Sequence, residues 1–151
     1  MKYANKIVLR VFSNPKDDEI AIRTGLFFLS SYTKGELESE KLKVDEIKAK
    51  GFNEKTIEIL TLELIKDRHC NHFLKFLNEN LTNEQRQTLI EQTDRLDDNI
   101  DFFIRFEKES LFRKEFKIIE SGDCFHVRIS LAVFPKNKMS AHKLVKEIFS
   151  N

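Results

Sequence analysis

The chain has 151 residues, 40% hydrophobic and 34% charged, enough for one domain to bury roughly two-thirds of its unfolded surface without disulfides or metals. No apolar run reaches the about 18 residues that a membrane crossing takes, and "MKYANKIVLRVF" lacks the apolar segment and small-residue cleavage site of a secretory signal. A net charge of +1 argues against a strong non-specific polyanion binder, yet it hides basic ends and an acidic middle.

Residues 1–16 carry Lys2, Lys6, Arg10 and Lys16 with no acid, and residues 102–151 hold 10 basic against 6 acidic side chains. The stretch between them holds 12 basic and 19 acidic residues. If the two ends are neighbours in space, one face is electropositive. Cys70 and Cys124 form neither a C-x-x-C pair nor a disulfide framework, which suits a reducing, cytoplasmic setting.

Residues 5–12 alternate, with Ile7, Leu9 and Val11 on one side and Lys6, Val8, Arg10 and Phe12 on the other, which predicts a strand with one buried face. "SNPKDDE" then predicts a helix to about Ser30, capped by Asn14, with Pro15 at its first position and Ile20, Thr24, Phe27 and Phe28 inward. A polar stretch follows, with a short strand near Leu42–Ile47 and a turn at Gly51. Residues 55–65, "KTIEILTLELI", read as a central strand.

Asp67 is expected to cap a helix whose Cys70, Phe73, Leu74, Leu77 and Leu81 share a face. "TNEQ", Thr82 to Gln85, is a capping box that starts the next helix through Leu89 and Ile90, and "DRLDDN" ends it. Three strands are predicted at 101–107, 114–120 and 124–134, the last two joined through "ESGD", and a helix at roughly 138–149 closes the chain. The order β-α-β-β-α-α-β-β-β-α favours a single α+β domain over 1–151, a mostly antiparallel sheet with helices on one face. The other face is then open to solvent or a partner.

The residues show little chemistry of the catalytic kind. There is no phosphate-cradling glycine loop, no nucleophile motif and no cofactor fingerprint. "RHCNH" sets His69, Cys70 and His72 together, but Cys70 belongs to an apolar stripe and a structural zinc needs four ligands. The expectation is a packed cysteine between two surface histidines, with no metal. Asp94, Asp97, Asp98 and Asp101 could in principle hold a divalent ion for a nuclease, yet such residues are also what a helix-to-strand turn uses for its own backbone.

The open face is richer. Lys6, Arg10 and Phe12 fall on it from the first strand, Phe103 and Arg105 from "DFFIRFE", then Lys117, and His126, Arg128 and Phe134 from the last strand. Cations neutralise phosphates, and rings and guanidinium planes stack on unpaired bases, so the mixture suits single-stranded or looped RNA. The same residue types enrich protein interfaces, including homodimers, and a mid-strand arginine can simply pair with Glu107 or Asp101.

Four stretches also carry a resemblance: "VLRVFSNPKDDE", "GFNEKTIEILTLEL", "FLKFLNENLTNEQRQTLIEQTDRLDDNIDFFIRFEK" and "SGDCFHVRISLAVFP". In order and spacing they resemble the small archaeal RNA-binding proteins known as predicted exosome subunits. That family is related in fold to the large-subunit ribosomal protein that contacts 5S RNA. The chain departs from it after Lys108: the family shows a Gln, a nearby Ala and then a Gly before the next strand, whereas "ESLFRKEF" has Glu109, Ser110 and Leu111 and no Gly. The resemblance implies an RNA-linked, non-enzymatic role beside exosome or ribosomal components. It implies no cofactor and brings no binding residues of its own.

Overall fold

The computed structural model describes residues 1–50 and 55–150, so the turn expected at Gly51 lies outside the described residues. The chain divides into two compact units. The first comprises Met1–Ile7, Leu64–Ile104 and Arg128–Asn151, and the second Val8–Glu63 and Arg105–Val127.

Five strands, β1 (Ala4–Ser13), β2 (Asp45–Lys50), β3 (Thr56–Leu64), β4 (Asp101–Glu107) and β5 (Cys124–Leu131), form an open antiparallel sheet in the order β2-β3-β1-β5-β4. β2 pairs with β3 from Asp45 opposite Thr61 to Lys50 opposite Thr56. The expected α+β class stands. The three strands that carry Arg10, Arg105 and Arg128 are consecutive in the sheet. Period-two alternation sets the core: Ile7, Leu9 and Val11 of β1 are fully buried, as are Ile104, Phe106, Val127 and Ile129. Each such side chain contributes roughly 1.5–3 kcal/mol by leaving water.

In the second unit, helix α1 (Glu19–Ser30) starts later than "SNPKDDE" suggests. Asp18, not Asn14, is the cap, and its carboxylate accepts from the backbone N–H of Ile20 and Ala21. Asn14 and Asp17 close a separate turn, in which Asn14 N–H donates to Asp17 Oδ2 at 2.9 Å. The inward face also differs. Ile22, Gly25, Leu26 and Leu29 are buried, whereas Thr24 is exposed and Ile20 is 76% exposed. The helix is apolar nearly all round, so periodicity alone does not select its face. Gly25 does, because a Cβ there would stand 2.7 Å from Phe125 Cζ. A short helix, α2 (Lys34–Ser39), not expected from the sequence, follows, set by a capping box between Thr33 and Glu36. β2 accordingly begins at Asp45 rather than Leu42.

The strand expected over 114–120 is reduced to one bridge, Phe106 opposite Ile118, held by Glu107 N–H to Lys117 O and Ile119 N–H to Arg105 O, both 2.9 Å. Between β4 and this bridge lies a short helix, α5 (Lys108–Phe112), where Ser110 Oγ–H donates to Glu107 Oε1 at 2.7 Å, and the positive φ of Lys114 turns the chain.

In the first unit, α3 (Asp67–Asn80) and α4 (Asn83–Glu91) follow β3, and the Thr82–Gln85 capping box forms as its sequence requires. Lys66 is the cap of α3 and Asp67 its first residue, where a carboxylate suits the helix dipole. α6 (Lys138–Phe149) packs Phe149 on Phe102 of β4 with ring centroids 6.0 Å apart.

Candidate nucleic-acid interface

The second unit holds five of the nine expected site residues, four of them on strands. Arg10 and Phe12 alternate along β1 with buried Leu9 and Val11, Arg105 sits between buried Ile104 and Phe106, and His126 lies between buried Phe125 and Val127. The backbone period thus turns all four away from the core. The Phe12 and His126 rings meet at 6.1 Å, tilted by 47°. Cys124 Sγ lies 3.5 Å from His126 Nε2.

Both arginines are underused. Arg10 Nε–H donates to Thr61 Oγ1 at 3.3 Å and Arg105 Nη1–H to the Glu120 carbonyl at 3.4 Å, and among the described residues neither has a carboxylate partner. A guanidinium offers five donors. The pairing with Glu107 or Asp101 weighed from the sequence does not form, since Glu107 is taken by Ser110 and by Lys117 at 3.4 Å. His126 senses both cations: burial lowers its affinity for a proton most, followed by Arg105 and then Arg10. Burial likewise pushes the Cys124 thiol up, so it is a packed thiol and no nucleophile. The result is a cationic, ring-bearing surface that can accept an anion and a planar group together.

Lys117 is exposed, but it lies outside any strand and its charge is spent on Glu107. In the first unit, Lys6, Phe103 and Arg128 are half-buried on their strands, and Arg128 Nε is buried without a hydrogen-bond partner among the described residues. Phe134 does not belong to a sheet face. β5 ends at Leu131, and the Phe134 ring, in the turn beyond it, is 98% exposed.

Lys108 was missed. It is 5% exposed, and its ammonium donates to Phe12 O at 2.7 Å, Asp17 Oδ2 at 3.0 Å and Asp123 Oδ2 at 2.6 Å. Asn14 Nδ2–H donates to the same Asp123 carboxylate at 3.0 Å. This buried cation ties the end of β1, the turn before α1 and the start of β5, and so fixes the backbone under Phe12. The only sequence signal is that Lys108, Asp17 and Asp123 each lie in a family-like stretch.

The alternatives weaken. Cys70 is fully buried and pushed up to about 11, by burial first and then by Asp67. His69 is 1% exposed, so only His72 of the pair is on the surface. Asp97 Oδ1 accepts from the N–H of Asn99 at 2.9 Å and of Asp101 at 3.0 Å, which is turn work, and Asp98 pairs with Lys138 at 3.1 Å. Among the described residues, no group of three His, Cys, Asp or Glu is placed to hold a metal ion, and no helix is long and apolar enough to cross a membrane.

Fold and surface together define an open-sheet α+β protein with a cationic, aromatic patch. The model of a family described as RNA binding matches residues 6–131, most of the chain, and the chain belongs to that family. It is 28% identical over 145 residues to the RNA-binding protein PAB1135 of Pyrococcus abyssi, covering 95% of this chain and 92% of that one. Its fold is shared by a DUF54 protein from Archaeoglobus fulgidus (TM-score 0.82, 21% identity, 96% of this chain and 99% of that one). It is also shared by the DUF54 protein Mth689 from Methanothermobacter thermautotrophicus (TM-score 0.78, 18% identity, 98% and 99%).

Proposed function

We propose that this chain is a non-catalytic RNA-binding protein whose contact surface centres on Arg10, Phe12, Arg105 and His126. Lys6, Phe103 and Arg128, in the first unit, are proposed as further RNA contacts of that unit. The observation that carries the reading is the pair of arginines, without acidic partners among the described residues, around the Phe12–His126 ring contact. Phosphates take the guanidiniums, and an unpaired base stacks on the rings. Membership of the RNA-binding family supports the partner. The wider setting we propose is accessory work in cytoplasmic RNA processing, beside exosome or ribosomal components.

The test is a titration of labelled single-stranded and hairpin RNA at two salt concentrations, with the wild type and the Arg10→Gln/Arg105→Gln double variant. Salt-sensitive binding that weakens in the double variant upholds the proposal. Binding that ignores both salt and the substitutions overturns it. A concentration-dependent dimer that loses mass in the same variant would assign the surface to a second copy of the chain instead.

A further inference from the structure

Between β5 and the body of α6, the first unit presents six exposed residues in a row, Phe134 to Met139, "FPKNKM". The Phe134 ring is 98% exposed and Met139 is 73% exposed. The turn that carries the ring is held at both ends. Ala132 N–H donates to Tyr3 O at 2.9 Å, and Asn137 N–H donates to Pro135 O at 3.0 Å. Asn137 Oδ1 in turn accepts from Ser140 N–H at 2.9 Å. The ring thus stands in water on a fixed support, which lowers the ordering that a partner must impose.

The charge that follows the ring has one sign. From Cys124 to Lys146 the sequence carries Arg128, Lys136, Lys138, Lys143 and Lys146 and no acid. On α6, Met139, Lys143 and Lys146 recur at the spacing of one helical stripe, the exposed one, opposite buried Leu144, Val145 and Ile148. Lys138 meets Asp98 in an exposed pair at 3.1 Å. Lys136, Lys143 and Lys146 have no carboxylate partner among the described residues. Glu147, the next acid in the sequence, lines the groove between α3 and α6.

That combination discriminates between guests. Protein interfaces are depleted in lysine, and this stripe is mostly lysine. A membrane surface takes a broad apolar face, and here Met139 alone accompanies the ring. A single strand of RNA uses what is present: one unpaired base stacks on the ring, and its phosphates follow the lysines. We propose that Phe134 with Lys136, Lys143 and Lys146 forms a second RNA contact, belonging wholly to the first unit and selective for single-stranded RNA. The inference rests on RNA being the partner of this chain, but not on the arginines of the second unit.

The test titrates a labelled single-stranded RNA and its duplex form with the full chain and with variants at exposed positions, which do not threaten the fold. Phe134→Leu keeps an apolar side chain but loses the ring, and should weaken single-strand binding about fivefold or more. Phe134→Tyr keeps the ring and should bind as the wild type does. Neither should alter duplex binding. Lys136→Gln/Lys143→Gln/Lys146→Gln should make the log–log salt slope for the single strand shallower by about two. Wild-type affinity in Phe134→Leu, a Phe134→Tyr protein as weak as Phe134→Leu, or an unchanged salt slope in the lysine variant would overturn the proposal. If Arg10→Gln/Arg105→Gln weakens binding while Phe134→Leu does not, the second-unit surface stands and this contact falls. A wild type that binds no RNA removes both. Pelleting with phosphatidylglycerol vesicles that is lost in Phe134→Leu, with RNA affinity unaltered, assigns the ring to a membrane and also overturns it.

Discussion

Arg105 and Lys108 stand three residues apart in "RFEK", yet they meet opposite fates. Lys108 is 5% exposed and its ammonium is saturated by two carboxylates and a carbonyl. Arg105 is half-exposed and, among the described residues, bonds one neutral carbonyl. The lesson concerns how a cation's role is read. A buried cation with a full set of acceptors is part of the fold, and replacing it strands its partners. A surface cation with donors to spare is available to an anion from outside.

The comparison breaks first at Lys108. Lys108→Met should lower unfolding free energy by about 2–4 kcal/mol in urea denaturation, because it leaves Asp17 and Asp123 without their shared counter-charge. The figure sits toward the lower end because Asp123 is half exposed to water. A loss under about 0.5 kcal/mol would place Lys108 with ordinary surface cations.

Arg10→Gln/Arg105→Gln should do the reverse. We expect stability within about 0.5 kcal/mol of wild type, an RNA affinity about tenfold or more lower, and a log–log salt slope shallower by roughly two. Measured on both proteins, the salt slope separates the cations: any folded Lys108→Met protein should keep the wild-type value.

A smaller effect belongs to His126. Burial, Arg105 and Arg10 all hold its proton affinity below the ordinary value, so it is neutral at pH 7. A bound phosphate offsets those cations and restores some affinity for the proton. RNA binding should therefore tighten about two- to threefold as pH falls from 7.5 toward 5.5, with proton uptake below one. His126→Gln should flatten that profile. In the free protein the sign is opposite: a histidine buried neutral costs stability once the unfolded chain protonates, so stability falls with pH below about 6.5.

The smallest expected effect is at Lys117, whose exposed pair with Glu107 is the surface kind. Lys117→Gln should change unfolding free energy by less than about 0.5 kcal/mol and the salt slope hardly at all.

Much of the frame was legible because it is local. Strand β4 falls on 101–107, α6 on 138–149, and the Thr82 capping box where its spacing demands, since backbone period and caps depend on near neighbours alone. The outward position of Arg10 was legible for the same reason. What failed needed distant contacts. The face of α1 is decided by Phe125, a hundred residues from Gly25. Lys108 was invisible as a structural group because two of its three partners lie 91 and 96 residues earlier in the chain.

The outermost strand, β2, reads "DEIKAK", and five of its six residues are exposed. Asp45, Glu46, Lys48 and Lys50 place charge along the free rim, with Arg23 reaching across to Glu46 and, at 3.0 Å, to Glu58 on β3. Another strand could add there only by stripping water from those side chains. A sheet with a bare, sticky surface invites stacking into fibrils. Here the charged β2 rim resists such growth.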